Sequence, residues 1–125
     1  MPRISVWLVR CALVHLAGGF TVGALLLLGK AWALPSVLAL RPLHAEMLLF
    51  GWTVQLAFGV GAWILPFGRG VDDDRRLHAV LVMINAGVVL AGLSPVVPGA
   101  AWLAVPGRAV AIGAAGLFAR HAWPR

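Results

Sequence analysis

With 125 residues, 62% of them hydrophobic and 11% charged, the chain is too apolar for an ordinary soluble domain and reads as an integral membrane protein. The net charge of +6 does not point to nucleic acid, because the basic residues are scattered at the ends of apolar runs and form no patch. A single cysteine, Cys11, excludes an intrachain disulfide and a multi-cysteine zinc site.

Four apolar segments, at about 5–28, 43–66, 76–94 and 102–122, each approach the roughly 20 residues needed to cross a hydrocarbon core of about 30 Å. They predict an all-α fold, a four-helix transmembrane bundle forming one domain over residues 1–125. The first segment is expected to stay as a span, since its apolar run outlasts a signal-peptide core and no cleavage pattern follows Lys30. Its Gly19/Gly23 pair has the small-xxx-small spacing that lets helices approach closely. His15, near its middle, is expected to hydrogen-bond to a neighbouring helix rather than to hold a metal. The apolar link from Lys30 to Arg41 is expected to lie along the outer interface, with Pro42 suited to a first helical position.

The second span carries His44 and Glu46 near its first turn and Gln55 at mid-depth. Polar side chains in hydrocarbon are functional candidates by default. At 100° per residue His44, Gly51, Gln55 and Ala62 share one face, which predicts an inward-facing slot floored by Gly51 beneath the imidazole, open to a flat ligand.

The turn GRGVDDDRRLH is the one strongly polar segment. Asp74 reads as the N-cap of the third helix, and Asp72 to Asp74 as a solvated acidic cap suited to the helix dipole, not as a metal site. Along that helix His78, Asn85 and Gly92 recur every seven residues and predict one mildly polar inward face, with Asn85 as interhelical hydrogen-bond glue. The loop with Pro95, Pro98 and Pro106 leaves two starts for the fourth helix, near 102 or near Pro106. Either start puts Arg108 in the outer part of the membrane, where it needs an anion. Counted from the outer ends, Glu46 lies about 4 to 6 Å in and Arg108 about 3 to 9 Å in, so the two are matched in depth. The competing arrangement turns Arg108 to a headgroup or other anion and leaves Glu46 protonated or in water. Gly113 and Gly116 predict close packing of the fourth helix, and His121 reads as part of an ordinary interfacial stop. No duplication relates the two halves.

Loop charges orient the bundle. Arg3, Arg10, Arg69, Arg75, Arg76, Arg120 and Arg125 fall on one side against Lys30 and Arg41 on the other, which predicts both termini in the cytoplasm and a multi-pass protein of the cytoplasmic membrane. Trp7, Trp32, Trp63, Trp102 and Trp123 sit at span ends, as interfacial tryptophans do; Trp52, at mid-depth, is expected to pack between helices.

The run His44, Phe50, Gly59, Gly61, Trp63 and Pro66, preceded by Arg41-Pro-Leu, resembles the second helix of the catalytic subunit of haem-copper oxidases and nitric oxide reductases. The specific likeness covers about 26 residues, while the topology agrees over all four spans. In that family the histidine is an axial ligand of the low-spin haem. The resemblance therefore implies a small oxidase subunit I-like protein, with a b-type haem bound through the iron at His44, space cleared by Gly51, and Arg41 or Arg108 neutralising propionates. The family's other metal ligands lie on later helices, so this chain is not expected to be an enzyme alone, and no residue reads as catalytic.

No other histidine completes a bis-histidine haem. At 1.5 Å rise per residue His44 lies about 3 Å inside the outer interface and His15 about 20 Å below it, with His78 and His121 at the cytoplasmic end. A second ligand would come from another copy or another membrane subunit. Two expectations stay open: a haem-binding, electron-transfer or haem-handling module of the respiratory type, and a cofactor-free structural or assembly subunit of a membrane complex. The expected partners are lipid and a second copy or another membrane subunit, without nucleic acid. A transporter is disfavoured because the polar groups lie at different depths, and a soluble enzyme because no nucleophile, base and orienter occur together.

Overall fold

A computed structural model describes residues 3–65 and 71–123 of the chain. Pro66, Arg69 and Arg125, and the side chain of Asp72, which carry parts of the sequence reading, lie outside the described residues.

All regular structure among the described residues is helical, as apolar surroundings require when backbone groups must satisfy one another within a segment. α1 spans Arg3–Ala31. The link contains one short helix, α2 (Pro35–Leu38), with Pro35 at its start, where no intrahelical N–H bond is lost. The second span is composite: α3 (Arg41–Glu46), a π-helical stretch (Met47–Val54), then α4 (Gln55–Ile64). α5 covers Val71–Leu93, and α6 covers Ala104–Ala122 after a 3-10 turn at Ala101–Leu103. The fourth helix thus starts between the two expected positions. Pro106 falls in its first turn, where its missing N–H would have had no acceptor.

Four stretches, Arg3–Ala31, Pro35–Ile64, Asp73–Leu93 and Ala101–Ala122, are long and apolar enough to cross a membrane. The chain has the predicted all-α, four-helix build of a multi-pass membrane protein.

Successive helices alternate in direction, and their contacts fall into three layers. At the end that carries Arg3 and Trp123, Ile4 and Leu8 of α1, Phe58 and Ala62 of α4, Leu77, Val80 and Ile84 of α5, and Ala111 and Ala114 of α6 form an apolar core. Phe58 and Phe118 stack there with centroids 4.5 Å apart, and the Ser5 hydroxyl donates to the Gly59 carbonyl at 2.6 Å. The middle layer holds His15, Gly51, Gln55 and Asn85. The far layer holds Gly19, Gly23, His44, Glu46, Gly92 and Arg108.

Small residues set the helix spacing, though not always the expected ones. A Cβ on Gly19 would fall 2.6 Å from Leu48 Cδ2, and one on Gly23 would fall 2.8 Å from His44 Cε1, so the Gly19/Gly23 face does carry the second span. Between α5 and α6 the closest approach is at Gly87 and Gly107, where a Cβ on Gly107 would lie 2.6 Å from the Ala91 nitrogen. Gly116, expected to be tightly packed, has nothing within 4 Å of its Cβ position. Its side of α6 faces away from α5, and composition alone does not reveal which side of an Ala/Gly-rich helix is covered.

Three further expectations change. α5 already includes Val71, so Asp74 lies within the helix rather than at its cap. His78 is exposed and donates from Nδ1 to the Asp74 carbonyl at 2.7 Å, so it leaves the inward face of Asn85 and Gly92. The drift of about 20° per heptad is too small to turn His78 outward; Leu77 and Val80 take the buried places at this end of α5. His121 has a role after all: its side chain is buried, with Nδ1 3.4 Å from Asp73 Oδ1, and it ties the end of α6 to the start of α5. The five span-end tryptophans are exposed and Trp52 is half-buried, in agreement with interfacial and packed positions.

Candidate functional site

The site is built where the second span lies on α1. α3 opens with Arg41-Pro42, and Pro42 near its start directs the chain into a helix that presents Leu43, His44 and Glu46 to three different neighbours. Leu43 packs on Gly92 of α5, where an added Cβ would meet its Cδ1 at 2.7 Å. His44 lies on α1, and Glu46 turns toward α6.

His44 is half-buried over the floor made by Gly19 and Gly23, with Nδ1 2.8 Å from the Gly19 carbonyl. A carbonyl only accepts, so Nδ1 carries the proton and Nε2 keeps its lone pair. Nε2 has no hydrogen-bond partner among the described residues. This is the arrangement in which second-shell carbonyls fix the tautomer of a metal-ligating imidazole.

The other residues implied for a haem cradle are placed differently. Gly51 does not floor the His44 slot. It is buried against His15, and a Cβ there would fall 2.5 Å from His15 Cγ. Gly51 keeps the α1-facing side that it shares with His44, but it lies seven residues deeper along the span, where the His15 ring of α1 fills the space. Arg108 is engaged already, donating from Nε to Glu46 Oε1 at 3.1 Å. Glu46 is buried while the Arg108 side chain is 59% exposed, and Glu46 Oε2 makes no hydrogen bond. Arg41 is exposed and makes no hydrogen bond among the described residues. Of the four, Gly51 packs on His15 and Arg108 on Glu46, while His44 Nε2 and the Arg41 side chain make no hydrogen bond among the described residues.

A second polar group sits in the middle layer. His15 Nε2 and Asn85 Oδ1 are 2.8 Å apart, and Asn85 Nδ2 donates to the Leu81 carbonyl at 2.7 Å. The sequence pointed to each residue separately as an interhelical hydrogen-bonder; their common mid-span depth is the signal that would have paired them. Gln55 is fully buried at the π-to-α junction, and neither its Oε1 nor its Nε2 has a partner.

Comparison with known protein families, curated proteins and solved structures gives no match for this chain.

Proposed function

We propose that the chain is a small multi-pass protein of the cytoplasmic membrane that offers His44 as one axial ligand to a b-type haem, shared with a second copy or another membrane subunit, in electron transfer or haem handling. The observation that carries this reading is the tautomer: the Gly19 carbonyl holds Nδ1–H at 2.8 Å and leaves the Nε2 lone pair unused among the described residues. Bound there, a haem supplies one-electron redox chemistry. The chain contributes the imidazole, the glycine floor that sets its plane, and Arg41, one helical turn before His44, as a cation for a propionate. The resemblance of the second span to the oxidase helix supports the same assignment.

The alternative is a cofactor-free structural or assembly subunit of a respiratory membrane complex. It is favoured by the engagement of Gly51 with His15 and of Arg108 with Glu46, which leaves the implied cradle with half its members. A reduced-minus-oxidised absorption spectrum of detergent-purified protein separates the two. A Soret band lost in His44→Ala supports haem ligation. No band, even after haem is supplied during expression, leaves the cofactor-free reading.

A further inference from the structure

Arg108 stands on the exposed side of α6. Val105, three residues before it, and Ile112, four after it, share its face and are 75% and 66% exposed, so the guanidinium is set in a strip of apolar surface that a membrane-spanning helix turns to lipid. The Arg108 side chain is itself 59% exposed. A charge in that place needs an anion, and Glu46 meets only part of the need. Its Oε1 takes the Nε–H at 3.1 Å, while neither Nη1 nor Nη2 makes a hydrogen bond among the described residues. Four of the five guanidinium N–H donors are left, in a planar fork that the buried carboxylate holds from one side. Arg108 lies four residues after the start of α6 at Ala104, about 6 Å down the helix, and helical side chains lean back toward the N-terminus. The fork thus has the headgroup region within reach.

We propose that Arg108 is a binding site for the phosphate of a phospholipid, whose oxygens accept from Nη1–H and Nη2–H while Nε stays on Glu46. The ion pair and the headgroup contact then use different edges of one guanidinium and do not compete. A lipid is the ligand rather than a dissolved anion, because a free anion would have to give up water beside Val105 and Ile112, whereas a phosphodiester is held at this depth by its own acyl chains. The recognised group is the phosphodiester itself, and a lipid without one has nothing to offer the fork. The site rests on α6 being a membrane span and is independent of haem at His44, which lies on a different helix and takes no part in it.

Native mass spectrometry of the detergent-purified full chain tests this, with phosphatidylethanolamine as the probe and monogalactosyl diacylglycerol as the lipid that lacks phosphate. The wild-type protein should bind the phospholipid about tenfold more tightly than Arg108→Gln, the loss expected when charge-assisted hydrogen bonds are removed. Arg108→Lys, which keeps the charge but not the fork, should bind it more weakly than wild type. Lys30→Gln, which removes an exposed cation at the same end of the bundle, should bind it as wild type does. The glycolipid should not distinguish the four proteins. Equal phospholipid binding by wild type and Arg108→Gln overturns the proposal, and so does undiminished binding by a folded Arg108→Lys. An equal loss in Lys30→Gln would mean diffuse attraction instead of a site, and displacement of the lipid by millimolar inorganic phosphate would make the ligand a dissolved anion; either result overturns it too.

Discussion

Arg108 Nε donates to Glu46 Oε1 at 3.1 Å, joining the first turns of the second and fourth spans across 62 residues of sequence. The two partners are unequally placed, because the carboxylate is 7% exposed and the guanidinium 59%. Removing Arg108 strands a buried carboxylate, whereas neutralising Glu46 leaves an arginine able to reach water or a headgroup. Arg108→Gln should therefore destabilise by about 1–3 kcal/mol and Glu46→Gln by less, with the half-exposed pair discounted from the roughly 3–5 kcal/mol of a fully buried one. Unfolding midpoints of both single variants and the double variant check this. Additivity within about 0.5 kcal/mol would deny the contact its energetic role.

Glycines on the same helix should respond with opposite signs. A methyl group on Gly107 meets the α5 backbone at Ala91, which cannot move aside, so Gly107→Ala should destabilise by about 1–3 kcal/mol. Gly116 has open space around its Cβ position, and alanine there should stabilise by about 0.5–1 kcal/mol through helix propensity. Equal effects in thermal unfolding would contradict the α5–α6 packing.

The π-helical stretch and the middle layer should fail together. Gly51→Ala forces the His15 ring off its place and breaks its bond to Asn85, at a cost of about 1–3 kcal/mol. The same substitution in an Asn85→Leu background should cost less, because the bond is already gone. Circular dichroism melts of the three variants give the comparison, and an undiminished effect would show that Gly51 matters for some other contact.

Topology follows from the charge bias and has its own check. With Cys11 replaced by alanine, a cysteine at the exposed position Asp74 should be labelled by a membrane-impermeant maleimide only after the cytoplasmic face is opened. Labelling of intact cells would reverse the bundle.

The sequence by itself determined the class, the number of spans and the helices, because each rests on local quantities: the length of an apolar run, the place of a proline, the position of tryptophans at span ends. It also determined that Glu46 and Arg108 could meet, since depth along a helix is counted directly at a fixed rise per residue. Only the tertiary structure decided what lies around each helix. The wheel at 100° per residue put Gly51 on the face of His44, and both do lie on α1, but only the path of α1 gives His15 the space at Gly51 and sets His44 on Gly19 and Gly23. An Ala/Gly-rich α6 suggested close packing at Gly113 and Gly116, and only the path of α5 makes Gly107 the backbone contact. His121 and His78 likewise exchange their expected roles, because burial at a helix end depends on how far the neighbouring helix extends, and no periodicity within one segment records that.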